Sequence, residues 1–314
     1  MSYKPIIIVN GEPNSIFFEI FFKALKKKYK SPIILIASLN LLKKQMKYFN
    51  FKKKINIFKQ ENVKNMKLSK NKINLINVNY NKSKNSNIYI EQCFSVAFKL
   101  IKNKFSYKLI NGPISKKKFL QKKYLGITEY ISKKFNSPKN AMLIFNKKLS
   151  VCPLTTHLPI KMVSKKISKN LIKEKVILIN NFYKKNFKIK PKIGVLGLNP
   201  HCESISKINE DEKIIGPAIR NLKNLNFSID GPFSADTFFL KQNRKKYNVV
   251  LGMYHDQVLT PIKTLYNFSA INVTLGLPFI RISPDHGPNT EMLGKNKSDP
   301  SSFFYAMNFA EKIR

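Results

Sequence analysis

The chain is poor in the residues that staple or punctuate special folds. Its three cysteines, Cys93, Cys152 and Cys202, are odd in number and form no CxxC pair, which argues against a disulfide framework and a structural zinc knuckle; reduced thiols are expected. Long hydrophobic runs are missing too: "SPIILIASLNLL" from Ser31 is among the longest and is broken by polar residues, so no transmembrane helix is expected. The opening "MSYKPIIIVNGEP" reads as a first strand rather than a secretory signal, and the expected location is cytoplasmic. Neither the GxGxxG dinucleotide fingerprint nor the GxxxxGK[ST] phosphate loop occurs, and "GVLGLNP" lacks the glycine spacing and the following helix start to replace the former. The sequence has no internal repeat and no obvious flexible linker.

Acidic residues are scarce. Seventeen face 58 basic ones, a net charge of +41, and such an excess normally points to nucleic acid, anionic membrane or anionic ligands. The lysines are spread over most of the first 250 residues among many asparagines and isoleucines, as an AT-rich coding bias would leave them. "YFNFKKKINIFK" (Tyr48 to Lys59) interleaves aromatics with bases, which suits stacking on a single strand or an alternating strand with a solvated lysine face. No recognisable nucleic-acid signature frames it, and nucleic acid is not an expected partner.

What is present is ample core. With 314 residues, 43% of them hydrophobic, the chain has the length of two domains or one large one. Ile- and Val-rich bursts recur at "PIIIVNG", "PIILIAS", "INLINV", "YKLINGP", "KIGVLGLNP" and "NVVLGMYHD", and helical patterns such as Ile90 to Phe105 follow several of them. This alternation predicts an α/β fold with a largely parallel sheet covered on both faces. The lysine-rich stretch from Ile160 to Asn186 is expected to form one long amphipathic helix. Most bursts end in Gly, Pro, Asn or His, placing polar groups at the strand ends where α/β sheets build their sites.

Only four histidines occur, His157, His201, His255 and His286, all in the C-terminal half, in "TTHLP", "NPHCE", "YHDQ" and "PDHGP". Each lies beside turn-forming or polar residues rather than on an apolar helical face. Their separations exclude the helical HExxH motif, but imidazoles from separate strand ends can meet in space. Asp236, Asp256, Lys263, Asn272, Arg281 and Asp285 stand at comparable positions. Caps, turns and surface ion pairs are their plain reading; the alternative is a metal site receiving an anionic substrate, with carboxylates orienting imidazoles and cations gripping a phosphate or carboxylate.

In order and spacing, "LTTHLPI", "GLNPHCE", "GPFSADTFF", "MYHDQVLTPIK" and "NVTLGLPFIRISPDHG" resemble the 4-hydroxythreonine-4-phosphate dehydrogenases of vitamin B6 synthesis. The likeness is strongest from about residue 141 onward, with "LINGPISKK" and "GITEY" extending it more weakly. The resemblance implies a two-domain α/β/α fold related to isocitrate and isopropylmalate dehydrogenases, a homodimer with its active site at the subunit interface, and NAD bound without a GxGxxG fingerprint. On it, residues 1–135 with about 285–314 form a first, discontinuous domain, and 136–284 a second that carries most of the metal and substrate residues. It implies a divalent metal held by His157, His201 and His255, with ligands contributed across the dimer and His286 not among them. Zinc suits three histidines best by ligand preference, with magnesium, cobalt or manganese as alternatives. Substrate contacts fall at Thr128, Lys263, Asn272 and Arg281, and Asp236, Asp256 or Lys263 assists proton transfer. The implied reaction oxidises 4-phosphooxy-L-threonine with NAD and decarboxylates the product to 3-amino-2-oxopropyl phosphate.

Two departures stand out. Ile127 in "GITEY" replaces the family's substrate-contacting histidine, and in the first loop Asn14, Ser15, Phe17 and Phe18 replace small residues, leaving Gly11, Glu12, Pro13, Ile16 and Glu19 familiar. The alternatives are therefore a relative that oxidises another phosphorylated hydroxy acid, such as threonate 4-phosphate, and a degenerate basic protein that binds polyanions.

Overall fold

The computed structural model describes residues 3–59, 67–81, 85–115, 119, 124, 126–203, 209–284 and 287–313. The chain divides into two compact units, Met1–Ile127 with Pro278–Arg314, and Thr128–Leu277. Both are built of strands and helices, so the expected α/β class is borne out.

In the first unit the apolar runs become β1 (Ile6–Val9), β2 (Ile33–Ala37), β3 (Ile55–Phe58), β4 (Ile73–Asn77) and β5 (Lys108–Asn111), joined late in the chain by β12 (Ile280–Pro284). They lie in the order β3-β4-β2-β1-β5-β12, every neighbouring pair parallel. All four residues of β1 are fully buried, as expected of a central parallel strand covered on both faces. Phe17 and Phe18, which depart from the first-loop pattern, belong to the core of the helix Phe17–Ala24. Phe17 stacks on Phe21 at 5.5 Å between centroids and meets Phe303 of the helix Ser301–Lys312 edge-on at 6.0 Å. Gly11 keeps its identity for a steric reason: it has a φ of +78°, and a Cβ there would collide with the carbonyl of Pro113.

The second unit contains β6 (Ala141–Phe145), β7 (Ser150–Pro153), β8 (Ile193–Leu196), β9 (Ile229–Phe233), β10 (Val249–Gly252) and β11 (Ile271–Leu275), in the order β11-β6-β7-β10-β8-β9. From β7 to β9 the neighbours are parallel, but β6 is antiparallel to both β11 and β7. The largely parallel expectation holds, and β6 is the exception because the four residues 146–149 between β6 and β7 allow a hairpin and no crossover.

The single helix expected from Ile160 to Asn186 is two pieces. A turn at Ile160–Met162 runs into Val163–Lys166, the backbone then extends at Ile167 and Ser168, and a new helix spans Lys169–Phe187. The hydroxyl of Ser168 accepts from the Leu171 amide at 3.2 Å, so an N-cap restarts the helix inside the amphipathic pattern. All three cysteines are free, with Cys93 and Cys152 buried. Among the described residues no helix is long and apolar enough to cross a membrane.

Candidate active site on the second unit

The strand order of the second unit lines up its polar termini. β7, β10, β8 and β9 are consecutive parallel neighbours, and the chain leaving their C-terminal ends supplies His157, His255, His201 and Asp236 in that order. β7 and β10 run in register from Ser150↔Val249 to Pro153↔Gly252. The pairing continues past the strands: the Leu154 amide donates to the Gly252 carbonyl at 2.7 Å, and the Thr155 hydroxyl to that of Met253 at 2.7 Å. The two loops are thereby tied, and the rings of His157 and His255 sit 5.8 Å apart at a tilt of 38°.

His255 opens the helix His255–Tyr266, whose Val258, Leu259 and Ile262 are buried in the core of the unit beside Val151, Leu196 and Val250. Each buried aliphatic side chain contributes about 1.5–3 kcal/mol, which fixes the helix and with it the imidazole at its start. Gln257 closes the turn, accepting from the Met253 amide at 2.7 Å and donating to the Gly197 carbonyl at 2.8 Å. A Cβ at Gly252 would run into Val258, so glycine is what lets β10 meet its helix this closely. The Nδ1 of His255 lies 2.6 Å from Oδ1 of Asp256. The contact suits the neutral tautomer in which Nδ1–H donates to the carboxylate, and that tautomer leaves the Nε2 lone pair for a cation.

His201 is exposed, in the turn Pro200–Cys202, and both His201 (φ 55°) and Cys202 (φ 61°) have left-handed backbone. Such a conformation costs an L-residue about 1–2 kcal/mol, so the turn needs an anchor. Asp211, 1% exposed, provides one: its carboxylate accepts from the Leu198 amide at 2.8 Å, the Asn199 amide at 3.0 Å and the Asn199 side chain at 2.9 Å. Burial, followed by the charge of Asp211, pushes the Cys202 thiol above its ordinary value. Asp236 is held below the usual carboxylate value, first by the neighbouring Ser234 hydroxyl and then by the Thr237 amide at 2.8 Å and the charge of His201. The Ser234 approach falls outside good hydrogen-bond geometry, since its oxygen has no hydrogen-bond partner among the described residues.

The remaining candidates are more dispersed. Thr128 opens the second unit in the helix Ile127–Lys134, and with Glu129, Thr156, His157 and Lys175 it lines a concavity of about 130 Å³. Ile127 is half-buried in the first turn of that helix. Asn272 lies on β11 opposite Ile144, with a buried Oδ1 that has no hydrogen-bond partner among the described residues. Lys263 is exposed on the helix of His255, about 12 Å further along by helical rise. Arg281 belongs to β12 of the first unit, where it is fully buried and its Nε donates to Asn111 at 2.8 Å. Asp285 and His286 lie outside the described residues.

The family model described as "Pyridoxal phosphate biosynthetic protein PdxA" matches residues 28–310. The chain belongs to the PdxA family. It is 39% identical over 321 residues to the 4-hydroxythreonine-4-phosphate dehydrogenase of Sulfurihydrogenibium sp. (strain YO3AOP1), covering 97% of each chain. A solved 4-hydroxythreonine-4-phosphate dehydrogenase from Burkholderia phymatum superposes with a TM-score of 0.80 at 26% identity, over 99% of this chain and 98% of that one. An isocitrate dehydrogenase from Methylococcus capsulatus shares the fold alone, with a TM-score of 0.50 at 9% identity over 96% of this chain and 83% of that one. The expected family and fold relationship are borne out, and this PdxA member is an oxidoreductase.

Within this PdxA chain the structure pairs His157 with His255 and sets Asp236 within electrostatic reach of His201. Among the described residues no three His, Cys, Asp or Glu side chains gather around one point. The two paired imidazoles and the carboxylate behind one of them fit part of a divalent-cation site. Asp211 and Thr155, which hold the two histidine loops, are not among the residues the sequence singles out. Asp211 sits in an unremarkable acidic run, "NEDEK", and nothing local marks it; Thr155 stands two residues before His157 and was readable as part of "LTTHLPI".

Proposed function

We propose that this chain is an NAD- and divalent-metal-dependent 4-hydroxythreonine-4-phosphate dehydrogenase, which oxidises 4-phosphooxy-L-threonine and releases carbon dioxide to leave 3-amino-2-oxopropyl phosphate. The observation that carries this reading is the facing pair of His157 and His255, with Asp256 on the Nδ1 of the latter, in a PdxA family member. His157, His201 and His255 hold the cation, zinc first by ligand preference, with magnesium, cobalt or manganese as alternatives. Among the described residues two of these imidazoles are brought together; on this reading a homodimer supplies the third, and the two compact units act as the two domains of each subunit. A cation there supplies Lewis acidity toward the substrate's hydroxyl and later its ketone, and NAD supplies the hydride acceptor.

The chain's own groups supply the rest. Asp256 fixes the tautomer and direction of His255. Asp236, stabilised as a charge, stays ionised at neutral pH and adds negative potential near His201. Lys263, Asn272, Thr128 and the buried Arg281 hold the phosphate and carboxylate, with charge from the two cations and directed hydrogen bonds from the others. Asp236, Asp256 or Lys263 assists the proton transfer from the substrate's hydroxyl.

Ile127 favours a second reading, a relative acting on a different phosphorylated hydroxy acid, because a branched alkyl group cannot donate the hydrogen bond of an imidazole. The test is reduced-cofactor formation with NAD and a divalent cation on 4-phosphooxy-L-threonine and, separately, on threonate 4-phosphate. Chelator-sensitive turnover of the first is expected, with Ile127→His lowering KM. Turnover of the second alone would transfer the assignment to the other substrate. Turnover of neither would remove the dehydrogenase reading.

A further inference from the structure

At the opposite end of the first unit from its C-terminal strand edge, where the chain enters β2 and β4, lies a concavity of about 400 Å³. Three separate segments line it with lysine: Lys26, Lys27 and Lys28 after the helix Phe17–Ala24, Lys53 before β3, and Lys70 and Lys72 before β4. Basic residues are 58 of the chain's 314, under a fifth, yet they are six of the thirteen described residues around this space, and none of the thirteen is acidic. General lysine enrichment does not account for that concentration.

The ammonium groups are also largely uncommitted. Lys27 lies over the Phe304 ring at 3.8 Å, while Lys26, Lys28, Lys53, Lys70 and Lys72 have no ion-pair partner among the described residues. The neighbouring carboxylate, Glu311, accepts from the Ser31 amide at 2.8 Å. Burial holds the Lys53 ammonium below its ordinary value, so an anion beside it would recover lost stabilisation. Phe21, Ile33 and Ile73 supply apolar wall behind these charges.

We propose that this concavity is a second binding site, for a small polyphosphorylated anion: a nucleoside di- or triphosphate, or a free oligophosphate. Its volume falls within the range of roughly 300–1,000 Å³ typical of small-ligand pockets. Several point charges converging from three segments suit a ligand with several phosphates better than one with a single phosphate. This inference is independent of the dehydrogenase reading and uses none of its residues.

The test is calorimetric titration of the full-length protein with tripolyphosphate, ATP and a single-stranded RNA 20-mer at physiological salt. It compares wild type, the triple variant Lys53→Gln/Lys70→Gln/Lys72→Gln, and a control Lys165→Gln/Lys166→Gln/Lys169→Gln that removes the same charge from exposed positions of the second unit. The triple variant is expected to bind tripolyphosphate at least tenfold more weakly, with the control within twofold of wild type and turnover unchanged in both. Stronger binding of ATP than tripolyphosphate would assign the nucleoside form of the ligand; equal binding would assign phosphate recognition alone. Equal losses in the two variants, no saturable binding by wild type, or tighter lysine-dependent binding of the RNA would each overturn the proposal.

Discussion

The two units share one construction and use their C-terminal strand edges differently. In the first, edge polar groups are absorbed by the fold: Asn10 reaches the Tyr89 hydroxyl, which accepts from the Ser38 amide, and Asn77 caps Leu39. In the second, the fold's polar work falls to residues set behind the edge, Thr155, Gln257 and Asp211, leaving His157, His255, His201 and Asp236 half-buried or exposed. A strand end becomes a candidate site when other groups hold its loop and its own side chain stays open to solvent.

The largest effect is expected from His255→Ala, which should lower divalent-cation affinity and turnover by at least about a hundredfold, measured by metal titration and NAD reduction. Asn10→Ala, the matching deletion on the first edge, should reduce stability without touching cation affinity. Equal cation losses in the two variants would erase the contrast between the edges.

Next comes Asp211→Ala. It strips the acceptor from two backbone amides and one side chain, and urea denaturation should show a loss of about 3 kcal/mol. An unchanged midpoint would mean that Asp211 does not anchor the His201 turn. Asp256→Asn should be milder, weakening cation binding by about ten- to a hundredfold with stability near wild type, since it alters the group behind His255 and not the ligand itself.

The smallest effect is a labelling difference. Cys93 in the first unit and Cys152 in the second are buried and pushed up to about 12, whereas Cys202 at the second edge is partly exposed. A thiol reagent at pH 8 should therefore modify Cys202 slowly in the native protein and all three cysteines after denaturation. Native modification of Cys93 would contradict the closed character of the first unit.

Much of this contrast was legible in the residues. The six apolar bursts are β1, β2, β4, β5, β8 and β10, because uninterrupted Ile and Val runs suit strands buried on both faces. β7, "SVCP", and β9, "IDGPF", carry too few β-branched residues and too much Pro and Gly to signal themselves, and β7 and β9 bring in His157 and Asp236. The histidines were readable as strand-end groups, but their adjacency depends on the order β7-β10-β8, which joins segments about a hundred residues apart and leaves no local trace. Ser168 is a residue type that caps helices, yet the amphipathic pattern around it runs on smoothly, which hides the break it makes.

The proposed site takes three histidine ligands completed across a dimer, and subunit complementation tests that most directly. His201→Ala and His255→Ala, each inactive alone, are unfolded together and refolded as a mixture. If one site draws these two ligands from different subunits, each mixed dimer keeps one intact site, and turnover should return to about a quarter of wild type. No recovery from well-folded mixed dimers would contradict the shared site.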